Sequence, residues 1–216
     1  MSVTIFLAAS VPDPKREPDY AVTADTVAIS SAVSALIHVI LGRRRLVWGG
    51  HPTITPMISL VASEYGVDYA SWVHLYQSKY FEEEYPEDNA NFRNITYTDI
   101  VDGSKDRSLL LMRNRMFSEI KFTSAVFIGG MSGVLEEMEM LREARPYVNI
   151  VPVVSTGGAA LSVANKLAIN DKCLRENMDY VALFHKYLEV DVRENRYSTP
   201  DMQPSNLKER FWDQNI

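Results

Sequence analysis

The stretch Ser124-Ala125-Val126-Phe127-Ile128-Gly129-Gly130-Met131-Ser132-Gly133-Val134-Leu135-Glu136-Glu137 decides the fold. Ser124–Ile128, a serine followed by four apolar residues, has the length of a strand. A glycine pair follows, then the start of an amphipathic helix. Strand, glycine turn and helix in that order are the unit of a parallel sheet. The same unit recurs on both sides. Strands are expected at Val3–Ala9, Arg45–Trp48, Trp72–Tyr76, Asn94–Thr98 and Asn149–Val154. Helices are expected over Asp25–Leu41, Pro56–Tyr65, Lys105–Ile120, Val134–Arg145, Ala159–Ala168 and Asn177–Glu189. Gly66 is placed to end the second of these as a C-cap. The rhythm predicts a single α/β domain with a mostly parallel sheet and helices on both faces. That domain spans residues 1–190, and residues 191–216 form a C-terminal tail on the surface or against another subunit.

Two segments interrupt the rhythm. Val11–Pro18 is proline-rich and charged, so it reads as a loop after the first strand. Ser78–Asn94 is long for a connection in a compact domain and carries the acidic run Glu82–Asp88. Ser78, Tyr80 and Phe81 in it are candidates to cover a pocket, with surface packing an equal alternative.

Composition removes several function classes. The 216 residues are 46% hydrophobic and 23% charged, the balance of an ordinary globular chain. No apolar run reaches transmembrane length, and the N-terminal apolar stretch reads as a buried strand rather than a leader. A single cysteine, Cys173, leaves no intramolecular disulfide, which fits a cytoplasmic setting. No histidine pair has metal-ligand spacing, so neither a metal nor a resident cofactor is expected. Acidic residues outnumber basic ones 28 to 22, which disfavours nucleic acid as a partner. Five of those acids fall within Glu82–Asp88. The rest of the chain is therefore near neutral and can serve a small anion.

Three strands end in glycine pairs: Gly49-Gly50, Gly129-Gly130 and Gly157-Gly158. A parallel sheet brings all three to one edge, where ligands bind. Glycine lets a ligand approach the backbone, and the following helix offers free N–H groups to a phosphate. The Walker loop and the dinucleotide GxGxxG are absent.

Helical angles mark two ions on apolar faces. With Leu109 as origin, Met112, Met116 and Ile120 lie within about 60°, and Arg113 lies about 40° away. Arg115 falls about 120° off, toward solvent. In the next helix Val134, Met138, Leu141 and Ala144 form the stripe, with Glu137 about 60° from Val134. Glu136 and Glu139 are expected on the opposite side. An ion on an apolar face is costly unless paired or used. Arg113 and Glu137 are thus the candidate catalytic pair, for phosphate and for ribose or acid/base work respectively. The plain alternative is a salt bridge that ties two helices together.

These residues resemble the SLOG superfamily, Rossmann-like proteins that include the lonely-guy phosphoribohydrolases. There a helix with an arginine leads to a strand and a PGGxGTxxE loop. Here Met112-Arg113-Asn114-Arg115-Met116 precedes Phe127-Ile128-Gly129-Gly130-Met131-Ser132-Gly133-Val134-Leu135-Glu136-Glu137. The resemblance places the family's glutamate on Glu137 and its arginine on Arg113. The loop departs at Ile128 for proline, Val134 for threonine, and one extra residue at Met131 or Ser132. The order MRxxM, FIGGMxG and Ser155-Thr156-Gly157-Gly158 is most similar to a bacterial SLOG subgroup of conflict systems. The resemblance implies a sensor of a nucleotide or NAD/ADP-ribose-derived signal. Hydrolysis of an N-glycosidic bond, or a ligand-free structural role, are the alternatives.

The candidate ligand contacts are then Ser10, Gly49, Gly50, His51, Thr53, Gly129, Gly130, Met131, Ser132, Gly133, Thr156, Gly157 and Gly158. Thr53 and Thr55 are also candidate N-caps. His38, His74 and His185 read as an exposed, a packing and a remote residue. The expected partner is a small nucleotide-type ligand, together with a second copy of the chain through the tail and the methionine-rich helices.

Overall fold

The computed structural model describes residues 3–65 and 67–212, so Gly66 lies outside the described residues. In chain order the elements are β1 (Thr4–Ser10), α1 (Pro18–Thr23), α2 (Thr26–Ile40), β2 (Arg45–Trp48), α3 (Thr55–Ser63), α4 (Tyr69–Trp72), β3 (Val73–Ser78) and β4 (Asn94–Thr98). Then come α5 (Lys105–Glu119), β5 (Ser124–Gly129), α6 (Ser132–Ala144), β6 (Asn149–Val153), α7 (Gly158–Lys166), α8 (Lys172–Glu176) and α9 (Tyr180–Tyr187). Every strand pairing is parallel, in the order β4-β3-β2-β1-β5-β6. The chain walks outward from β1 to β4, then returns past β1 to lay down β5 and β6. The reversal falls at β1, where a doubly wound sheet opens its crevice.

Side chains alternate across β1, as the two-residue strand period requires. Ile5 and Leu7 join one core with α2, α3 and α9, through Ile29, Ile58 and Phe184. Phe6 and Ala8 join the other with α5, α6 and α7, through Met116, Met138 and Val163. On this second face Phe6 meets Phe117 edge-on at 5.2 Å. Helices thus cover both faces. None of them is long and apolar enough to cross a membrane.

Local chemistry sets the element ends. The Asp25 carboxylate accepts from the N–H groups of Val27 and Ala28, each at 2.9 Å, and so starts α2. Asp179 accepts from Ala182 N and starts α9, later than the expected Asn177. Three expectations are refined. The loop from Val11 ends at Glu17, one residue earlier than expected, because Pro18 opens the first turn of α1. The segment after β3 is wound into two 3-10 turns, Lys79–Glu84 and Glu87–Asn91. Neither Thr53 nor Thr55 caps α3; Thr55 is its first residue and Ile54 holds the N-cap position without a side-chain bond.

The tail folds back under its own domain, at the amino ends of the strands. Arg44, just before β2, binds Glu194 at 2.6 Å, and Arg210 lies 3.7 Å from the same carboxylate. The Arg43 Nε donates to the Glu194 carbonyl, and Tyr197 N donates to Gly42 O. The Trp72 indole N–H donates to the carbonyls of Tyr197 and Ser198 at 3.0 and 3.1 Å.

Candidate functional site

A cleft of about 340 Å³ opens at the carboxyl ends of β1, β2 and β3. That is within the range of small-ligand pockets. Ser10 closes β1, Gly49, Gly50 and His51 follow β2, and Gln77 and Ser78 end β3. Met131, Ser132 and Gly133 come from the turn after β5 and the first turn of α6. Arg113 enters from α5, and Glu136 and Glu137 from α6.

The helical angles place Arg113 correctly. It is 8% exposed, whereas Arg115 is exposed and pairs along the helix with Glu119 at 2.8 Å. Arg113 Nε donates to Glu137 Oε1 at 3.3 Å, Nη1 to Glu136 Oε2 at 2.6 Å, and Nη2 to the Gly133 carbonyl at 3.2 Å. Glu136 lies on the expected opposite side. Its backbone is on the outer flank and its side chain is 61% exposed, yet it is long enough to reach back to Arg113. Burial holds the Glu137 carboxyl above the usual carboxylate range, opposed by the Arg113 guanidinium beside it. The bridge between the helices is therefore closed, and the cleft stays open next to it.

The sequence candidates divide into two groups. Ser10, Gly49, Gly50, His51, Met131, Ser132 and Gly133 line the cleft together with the Arg113–Glu137 pair. Gly129, Gly130, Thr156, Gly157, Gly158 and Thr53 are outside its lining. Gly130 N donates to the Ser10 carbonyl, and Ala159 N donates to the Gly130 carbonyl. The buried Thr156 hydroxyl accepts from Gly129 N at 2.9 Å and donates to Val153 O at 2.6 Å. The loops after β5 and β6 thus brace each other behind the cleft. Thr53 Oγ1 accepts from Val11 N at 3.2 Å and joins the loops after β1 and β2.

Gly50 shows why a glycine stands there. Its φ is +69°, and a Cβ would come within 2.1 Å of Gln77 Nε2. The Gln77 amide uses that space to donate to the Gly50 carbonyl at 3.1 Å.

Arg16, Glu17, Gln77, Lys105 and Met112 also line the cleft and were not among the sequence candidates. Glu17 precedes α1 and crosses to α6, where no residue of the helix's own N-cap bonds its N–H groups. Its carboxylate accepts from Ser132 N at 3.0 Å and Ser132 Oγ at 2.9 Å. Among the described residues no three His, Cys, Asp or Glu side chains gather as a metal site.

His51 Nδ1 sits 2.9 Å from Thr53 Oγ1. Burial, with the Arg16 guanidinium nearby, lowers its pKa from 6.5 to about 4. Between those values the unfolded chain takes a proton that the folded protein refuses. Stability is then full above about 6.5 and falls as pH drops toward about 4. Denaturant titration of wild type and His51→Gln checks this. Between pH 7 and 4.5 the wild type should lose about 2 kcal/mol more than the variant. Equal losses would show that His51 protonates freely in the fold.

His38 is exposed as expected, and His74 packs on Tyr76 with ring centroids 4.6 Å apart.

No curated protein sequence matches the chain. A family model described as the SLOG cluster3 family matches residues 19–188. That span holds the glycine turns after β2 and β5, both ions of the buried pair and the helices on either face. The chain belongs to the SLOG cluster3 family.

Proposed function

We propose that the cleft binds a nucleotide or an NAD/ADP-ribose-derived ligand and that the protein acts as a sensor of it. The carrying observation is the Arg113–Glu137 pair, set inward beside an open cleft at the sheet's reversal point. Glu137 Oε1 takes the Arg113 bond, which leaves Oε2 to accept from a ribose hydroxyl. Trp48, Leu109 and Met112 offer an apolar wall for a base. Arg113 already has three protein acceptors, so it orients Glu137 in this reading.

Calorimetry with adenine nucleotides and ADP-ribose derivatives tests the proposal. At least one should bind in the micromolar range, and Glu137→Ala should weaken it about tenfold or more while the protein stays folded. Millimolar or weaker binding across the panel would overturn it.

The raised Glu137 carboxyl supports a second reading, N-glycosidic cleavage. A carboxyl that holds its proton closer to neutrality can serve as an acid or base toward a departing base or an attacking water. Incubation with nucleoside monophosphates and NAD should then release free base. No release, or release unchanged in Glu137→Ala, would remove this reading.

A further inference from the structure

The two edges of the sheet differ in how they are protected. β6 carries Pro152, which has no N–H to offer a further strand, and α8 packs against it. The Asn149 amide also ties its first residue to the Tyr187 carbonyl at 2.9 Å. β4, the outermost strand on the other side, has none of these devices. Its sequence, Asn94-Ile95-Thr96-Tyr97-Thr98, holds no proline and no charge. Among the described residues no backbone group outside the β3 ladder bonds it. The Tyr97 carbonyl receives one long bond, 3.5 Å, from the Arg115 side chain. Tyr97 is 44% exposed, and Ile100 just beyond it 52%. A bare, uncharged edge is a template for another strand, and proteins ordinarily block it.

The residues around β4 are self-complementary. A twofold axis beside Thr96, perpendicular to the sheet, sets a second copy of β4 antiparallel to the first. Ile95 then faces Tyr97 of the other copy, a β-branched and aromatic pair on one face. Arg93 faces Asp99 at both ends of the contact. The Arg93 and Asp99 side chains are 76% and 81% exposed, and surface ion pairs hold them to Asp68 at 3.3 Å and Lys79 at 2.6 Å. Such pairs are weak, so both residues can turn to a neighbour at little cost. An axis at Ile95 or Tyr97 loses this match, because it sets Arg93 against Tyr97 or Val101.

We propose that β4 is the interface with a second copy of this chain. The two β4 strands pair antiparallel about Thr96 and join two six-stranded sheets into one. The paired strands run in opposite directions, so the two clefts open on opposite rims of the joined sheet. The contact is small, which suits association at about 10–100 μM rather than a permanent dimer.

Sedimentation equilibrium of the full chain tests this. Wild type should pass from monomer to dimer over that concentration range. Arg93→Glu and Asp99→Arg should each weaken the dimer about tenfold, because each sets like charges against one another at both ends. An equimolar mixture of the two should recover the wild-type constant, since the mixed dimer restores both opposite-charge pairs. Recovery also shows that both variants are folded. Thr96→Cys in a Cys173→Ser background should form a disulfide-linked dimer on mild oxidation, as facing residues of an antiparallel pair have Cα atoms about 4.5–5.5 Å apart. Asn94→Cys faces Thr98 of the other copy and should not. A chain that stays monomeric up to about 300 μM would overturn the proposal. So would a dimer that neither charge variant weakens, a mixture no stronger than its components, or an Asn94→Cys link as complete as that of Thr96→Cys.

Discussion

Gly157→Ala is expected to remove at least about 4 kcal/mol of stability, enough to lower the melting temperature by about 10 °C or more. Two costs combine. Gly157 has φ +68° and ψ −152°, a region that is almost closed to residues with a side chain. A Cβ there would also lie 1.8 Å from the Thr23 carbonyl oxygen and 2.9 Å from Ala24 Cα. These are backbone atoms at the end of α1, so no side chain can swing aside. Thr23 is tied to the same place, because its hydroxyl accepts from Gly158 N at 3.1 Å. Gly103→Ala is the control. Gly103 shares a positive φ of +64°, but nothing lies within 4 Å of its added Cβ. That variant should lose only about 1 kcal/mol. Thermal melts of the two variants separate backbone strain from collision, and similar losses would rule collision out.

Arg44→Met is expected to cost about 3–5 kcal/mol, because it strands the Glu194 carboxylate in the interior. The two side chains are 4% and 1% exposed and are joined by two bonds, at 2.6 and 2.8 Å. Arg210, at 3.7 Å, is too distant to replace them. The same loss should free the tail, which then becomes an early target in limited proteolysis. Arg44→Met combined with Glu194→Leu should recover most of the stability, since both charges leave together. Denaturant unfolding of the single and double variants measures this. Equal losses would show that packing, not the ion pair, holds the tail.

Much of the architecture was legible in the sequence because strand, glycine turn and helix repeat with little noise. Arg113 and Arg115 were separated by helical angle alone, since angle fixes where a Cβ points. Angle fails for Glu136, whose side chain is long enough to reach Arg113 from the outer flank. The glycine pair at 157–158 was read as a ligand cradle on the strength of its position after β6. Its glycines instead permit close contact with α1 and with the Gly130 carbonyl, a tertiary fact that spacing does not carry. Arg16, Glu17 and Lys105 were missed for a related reason. Their loops reach the cleft along paths that no periodicity records. The one signal available was Pro18, which marks a helix start and so makes Glu17 the residue that turns the chain.

The docking of the tail on Trp72 has an optical consequence. The chain has three tryptophans, and each reports on a different place. Trp48 is 2% exposed and borders the cleft. Trp72 is 1% exposed, and its indole is bonded to tail carbonyls. Trp212 is 60% exposed and already emits from a watery surface. Intrinsic fluorescence therefore resolves two events without any label. A red shift on release of the tail belongs to Trp72, and a change in yield on filling of the cleft belongs to Trp48. Replacing either one together with Trp212 by phenylalanine leaves a single-channel reporter for the other.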